Sequence, residues 1–133
     1  MPGRPAVFLD RDGVLNRRRL TLVRTPEQMV LLPGIAEAGA RLKKAGFALV
    51  MATNQDFVGM GYIKRPDHDR VMAMVTDAFA AAGAPFDGVY ACLHPKHVRC
   101  HDRKPKPGML TDAARDLGLD LAASFMVGDN AKD

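Results

Sequence analysis

The sequence predicts an α/β fold, a parallel sheet covered by helices on both faces. Two observations carry this. Short, continuous apolar runs alternate with helical patterns along the chain, and uninterrupted apolar strands belong to parallel sheets buried on both sides. Proline opens and glycine closes the helical stretches, so each change of period is marked.

Ala6-Val7-Phe8-Leu9 reads as the first buried strand. Pro33-Gly34 precedes an amphipathic helix from about Ile35 to Lys44, stopped by Gly46. Residues 47–52 form a second strand. Pro66-Asp67 opens a longer helix through about Ala82, ended by Gly83. Gly88 to Ala91 is a short third strand, Pro107 begins a helix to about Leu117, and residues 124–127 are a fourth strand. Right-handed crossovers connect them.

In such sheets the ligand sits beyond the carboxyl ends of the strands. Chemically capable residues should therefore follow each strand, and they do. Asp10-Arg11-Asp12-Gly13 follows the first and Thr53-Asn54-Gln55-Asp56 the second. A Cys/His loop with Arg103-Lys104 follows the third, and Gly128-Asp129-Asn130 the fourth. The agreement of four separate segments says more than any one motif, since Asp-x-Asp-Gly alone is as readily an acidic turn.

Residues two apart in extended chain point the same way. Asp10 and Asp12 are thus expected to face the site with Arg11 turned away, and Gly13 to permit a sharp departure from the strand. Asp10, Asp12 and Asp129 offer hard oxygen donors suited to Mg²⁺. A carboxylate can take a phosphoryl group as an aspartyl phosphate, and a second carboxylate can move the protons that this chemistry requires. Thr53 offers a hydroxyl and a backbone N–H to phosphoryl oxygens, Lys104 a point charge, and Arg103 a bidentate fork.

The 133 residues suffice for one domain, 1–133. The net charge of +4 is spread along the sequence, and only Arg17-Arg18-Arg19 and residues 99–106 are dense in it. No aromatic stacking platform or nucleic-acid motif accompanies it, so no nucleic-acid partner is expected. No apolar run is long enough to span a bilayer, and the N-terminus lacks the apolar core of a signal peptide. The expectation is a cytoplasmic protein with no membrane partner.

Taken together, Phe8 to Asn16, Thr53-Asn54-Gln55, Arg103 to Met109 and Val127-Gly128-Asp129 resemble the motif set of the haloacid dehalogenase superfamily. Within it the chain looks like the group of histidinol-phosphate and heptose-bisphosphate phosphatases. The resemblance implies a Rossmann-like core with no large cap domain. It also implies Asp10 as nucleophile and Asp12 as acid/base. Mg²⁺ would be held by Asp10, the backbone carbonyl of Asp12, and Asp129, with Thr53, Asn54, Arg103 and Lys104 on phosphate or substrate. The resemblance implies a small phosphorylated sugar or amino alcohol as substrate. Asp10 to Asn16, Val23 to Glu27 with Leu32-Pro33-Gly34, and Arg103 to Met109 are similar to the heptose enzymes. They imply release of the 7-phosphate of D-glycero-D-manno-heptose 1,7-bisphosphate. Thr53 to Asp56 and the short Cys/His loop are closer to histidinol-phosphate phosphatases. A catalytically weak domain that binds phosphate or a partner is the third reading.

The resemblance also implies a structural zinc loop. Cys92, His94 and Cys100 match its ligands, and Asp102 stands where the last cysteine is expected. Zinc accepts carboxylate oxygen, and His97 or His101 could serve instead. Asp133 either braces the magnesium site or is solvated. A sheet of this kind normally carries a helix after its fourth strand, so the chain reads either as a fragment or as a sheet with an exposed edge. A monomer or weak dimer is expected.

Overall fold

The computed structural model of the chain describes residues 3–19, 22–95 and 104–128. Four strands form one parallel sheet: β1 (Ala6–Leu9), β2 (Ala48–Asn54), β3 (Gly88–Cys92) and β4 (Phe125–Val127), in the order β3-β2-β1-β4. The helices are α1 (Ile35–Lys44), α2 (Asp56–Gly59), α3 (Arg65–Ala81) and α4 (Gly108–Leu117). The expected strands and three long helices are all present. The one-turn helix α2 and the 3₁₀ turns Pro26–Gln28 and Leu121–Ala123 carry no long periodic pattern, and the sequence did not announce them.

The steps from β1 to β2 and from β2 to β3 run the same way across the sheet. The step from β3 to β4 runs back past β1. Right-handed crossovers then put α1 and α3 on one face and α4 on the other. The strand residues divide accordingly. Val7, Leu9, Leu49 and Met51 pack with Val71, Val75 and Phe79 of α3. Ala6, Phe8, Ala48, Val50 and Ala52 pack with Met109 and Ala113 of α4. The order reverses beside β1, so the loop leaving β1 opens into the crevice where such sheets bind ligands.

Most boundaries fall within a residue or two of the sequence reading, and the ends of β2 and β3 bear on the site. β2 continues through Thr53 and Asn54, because β3 pairs with it beyond the end of β1: Thr53 lies opposite Ala91, and Asn54 opposite Cys92. Cys92 is therefore a buried strand residue rather than part of a loop. Among the described residues β4 is the last strand on its side of the sheet. β4 pairs with β1, and Phe125 is 61% exposed with its ring edge-on to Phe47.

Asp87 locks the start of the β2–β3 pair. Its N–H donates to the Leu49 carbonyl, and its Oδ2 accepts from the Leu49 N–H and from Lys43 Nζ, each at 2.7 Å. Partial burial would raise its carboxyl pKa. The Lys43 and Leu49 hydrogen bonds, with the charges of Lys43 and Arg4, outweigh this and hold it below 3.8. A depressed folded pKa stabilises the fold above the ordinary carboxylate range, and that contribution is lost as pH falls through the folded value. Asp87→Ala leaves the buried Leu49 N–H without its acceptor and is expected to cost about 1–3 kcal/mol in urea unfolding at pH 7. Asp87→Asn, which keeps an acceptor oxygen, should cost less. The gap between Asp87→Ala and wild type should shrink as pH falls below 3.8.

Candidate active site

The first strand places Asp10 at its carboxyl end, almost wholly buried. Asp10 Oδ1 accepts the N–H of Arg11 at 2.8 Å and lies 3.4 Å from Lys104 Nζ. Lys104 is itself buried and arrives from the segment before α4, on the face toward which Phe8, two residues before Asp10, also points. Asn54, at the end of β2, fixes that segment. Its Oδ1 accepts from the Lys104 N–H at 3.0 Å, and its Nδ2 donates to the Lys104 carbonyl at 3.3 Å. Three separate segments thus converge on one carboxylate and one ammonium.

Asp12 has a different environment. Its Oδ1 accepts from Arg11 Nε at 3.2 Å, Arg11 Nη2 at 3.0 Å and Asn16 Nδ2 at 3.1 Å. Its Oδ2 accepts from Arg11 Nη2 and Gln55 Nε2, both at 3.1 Å. Burial would raise this carboxyl's pKa, but the Arg11 charge and the Asn16, Gln55 and Arg11 hydrogen bonds together hold it below 3.8. Asp12 is a carboxylate at neutral pH.

The expectation that Arg11 turns away from the site needs correction. Arg11 leaves the strand on the α3 side, as Leu9 does, and Nη1 lies 3.8 Å from Met72 Sδ of α3. The extended run then breaks at Gly13, whose φ is 85°, and Asn16 bridges back to Asp12. This turn carries the Asp12 carboxylate round to the guanidinium, which forks onto it. Arg11 is only 2% exposed. His68, buried on the same α3 face, stays neutral at pH 7, because burial and then the Arg11 charge hold its pKa below 6.5.

Arg11, Asn16, Gln55 and His68 are the residues that the sequence reading left without a role. His68 did carry a signal, since it begins the buried stripe His68, Val71, Val75, Phe79 of α3. Gln55 stands beside Thr53 and Asn54, and Asn16 closes the loop that begins at Asp10. Arg11 carried none, because alternation gives the direction of a side chain and not how far a long one folds back.

The donor set suits Mg²⁺. It consists of hard oxygens, the Asp10 carboxylate and the Asp12 carbonyl, and among the described residues the latter meets the exposed Arg18 Nη2 at a long 3.4 Å. The Asp12 carboxylate is less suited, because N–H donors surround both its oxygens. Asp129, the third expected ligand, and Arg103 lie outside the described residues, as do Cys100, Asp102, His97, His101 and Asp133. Among the described residues no three metal-ligating side chains converge, and no helix is long and apolar enough to cross a membrane.

The comparisons with known proteins agree with this architecture. A D-glycero-alpha-D-manno-heptose-1,7-bisphosphate 7-phosphatase of Burkholderia mallei is 43% identical, with 96% of this chain covering 71% of its length. A D-glycero-beta-D-manno-heptose-1,7-bisphosphate 7-phosphatase of Photorhabdus laumondii is 38% identical, over 98% of this chain and 73% of its own. The D,D-heptose 1,7-bisphosphate phosphatase of B. bronchiseptica, solved with magnesium and phosphate, superposes with a TM-score of 0.89 at 35% identity, covering 96% of this chain and 72% of that one. The sequence profile of the haloacid dehalogenase-like hydrolases matches residues 4–133. The chain belongs to the haloacid dehalogenase-like hydrolase family.

Proposed function

We propose that the chain is a Mg²⁺-dependent phosphomonoesterase that releases the 7-phosphate of D-glycero-D-manno-heptose 1,7-bisphosphate through an aspartyl phosphate on Asp10. The observation that carries this reading is the run of heptose-bisphosphate phosphatases at 36–43% identity over nearly the whole chain. The pairing of a buried carboxylate with a buried ammonium supports it.

Asp10 attacks phosphorus as the bond from phosphorus to the ester oxygen breaks. Asp12, charged in the free enzyme, takes up a proton from solvent as the anionic phosphate binds beside it and gives that proton to the leaving oxygen. It then takes one from the water that attacks the aspartyl phosphate, and the phosphorus–Asp10 bond breaks. Lys104, Thr53 and Arg103 neutralise and orient the phosphoryl oxygens, while Asn54 acts through the Lys104 backbone. Asp10, the Asp12 carbonyl and Asp129 would hold Mg²⁺, which would supply charge neutralisation between the two anions. Zinc on Cys92, His94, Cys100 and Asp102 would pin the loop that leads into Arg103 and Lys104.

The test is a substrate panel containing both heptose bisphosphate anomers and histidinol phosphate, with zinc measured on the same sample. The expected result is Mg²⁺-dependent release from a heptose bisphosphate, at a kcat/KM on the order of 10⁴ M⁻¹s⁻¹ or more. Preference for histidinol phosphate would overturn the substrate, and active protein without zinc would remove the zinc loop.

A further inference from the structure

We infer that Gln55 is a positioning residue that sets where the protons of the site can go. The inference rests on the phosphatase reading above and deepens it. Gln55 Nε2 carries two hydrogens and lies within hydrogen-bond distance of two acceptors, Asp12 Oδ2 at 3.1 Å and Thr53 Oγ1 at 2.9 Å. The orientation of the amide follows from chemistry. Arg11 Nη2 donates to both oxygens of Asp12 and marks them as acceptors, so nitrogen, not oxygen, faces Oδ2.

The backbone holds this amide in place. The Gln55 N–H donates to the Cys92 carbonyl at 2.8 Å, extending the β2–β3 ladder by one residue, and its carbonyl accepts from Val58 in the turn of α2. The side chain is buried.

Each of the two bonds has a consequence for the reaction. The bond to Asp12 Oδ2 fixes the acid/base carboxylate on the side opposite Asn16, which holds Oδ1. The bond to Thr53 fills one lone pair of its hydroxyl. A hydroxyl has a single hydrogen, and with Gln55 as donor that hydrogen is left for another acceptor. A phosphoryl oxygen is such an acceptor. Gln55 thereby makes Thr53 a donor to substrate while aiming Asp12, and it couples the residue that binds the phosphoryl group to the one that moves protons. A residue that could accept from Thr53 would take the hydrogen away from the phosphate.

Two variants separate this from a packing role. Gln55→Met keeps the volume and removes both donors. Gln55→Glu keeps the shape but turns donor into acceptor. With an alkyl phosphate, kcat of Gln55→Met is expected to fall on the order of 10²-fold. With p-nitrophenyl phosphate, whose leaving group needs no proton, the first turnover should stay fast. A burst of nitrophenolate equal to the enzyme should precede slow turnover limited by the water step. Gln55→Glu should lose kcat as well and raise KM by about tenfold, the scale of one charge-assisted hydrogen bond. Circular dichroism confirms that each variant is folded. Both variants within twofold of wild type in kcat and KM would overturn the inference, as would equal losses on the two substrates with no burst. A wild-type chain that releases no phosphate from either ester would remove the phosphatase reading and this inference with it.

Discussion

Asp10→Asn is expected to lower phosphate release on the order of 10⁴-fold or more, the scale on which loss of a covalent nucleophile is felt, while leaving the fold intact. Asparagine keeps the Oδ1 that accepts the Arg11 N–H at 2.8 Å, so the turn out of β1 retains its anchor. What is lost is the anionic oxygen that attacks phosphorus. Lys104 Nζ, 3.4 Å away, loses a charge partner, but a neutral amide oxygen beside an ammonium is still a hydrogen-bond acceptor. The variant should therefore show a thermal midpoint within a few degrees of wild type and should trap no phosphate on the protein. Wild type quenched in acid during turnover should carry it. Activity within tenfold of wild type in Asp10→Asn would place the nucleophile elsewhere.

The same stretch of chain shows how far a sequence can be read and where reading stops. Apolar runs fixed which strands exist, and their continuity made the sheet parallel. The polar residues after each run marked the edge of the sheet where chemistry converges. These are period and composition effects, and they survive without knowledge of neighbours. The length of β2 was not legible, because Thr53 and Asn54 become strand residues only through the register with β3. Asn54 is similar: its type suggests a substrate contact, yet both polar atoms of its amide face the Lys104 backbone, 50 residues away in sequence. The clamp on Asp12 was the least legible. It depends on a long side chain folding back after Gly13 turns the chain, a matter of three-dimensional reach.

That clamp leads to the second large effect, which is on stability. Asp12 and Arg11 form an asymmetric pair. The guanidinium is 2% exposed, while the Asp12 side chain keeps 26% of its surface in contact with solvent. Breaking a buried ion pair by removing one partner costs about 3–5 kcal/mol, because a charge is left unpaired out of water. The two single variants should therefore differ. Arg11→Met leaves Asp12 with Asn16, Gln55 and partial solvent, and should fall near the low end, at about 3 kcal/mol. Asp12→Ala leaves the guanidinium buried beside Met72 and a neutral His68, and should cost more, toward about 5 kcal/mol. The double variant removes both charges and should cost clearly less than the sum of the two, since residues in direct contact are not additive. Urea unfolding at pH 7 measures all four corners of this cycle. A cost below 1 kcal/mol for Asp12→Ala would mean that the guanidinium finds other company, and the clamp would then be incidental. The pair of results at Asp10 and Asp12 is diagnostic. Both substitutions should silence the enzyme, but the second should loosen the fold more, because asparagine at position 10 keeps an acceptor beside Lys104 whereas alanine at position 12 takes the carboxylate away from a guanidinium that the core has enclosed.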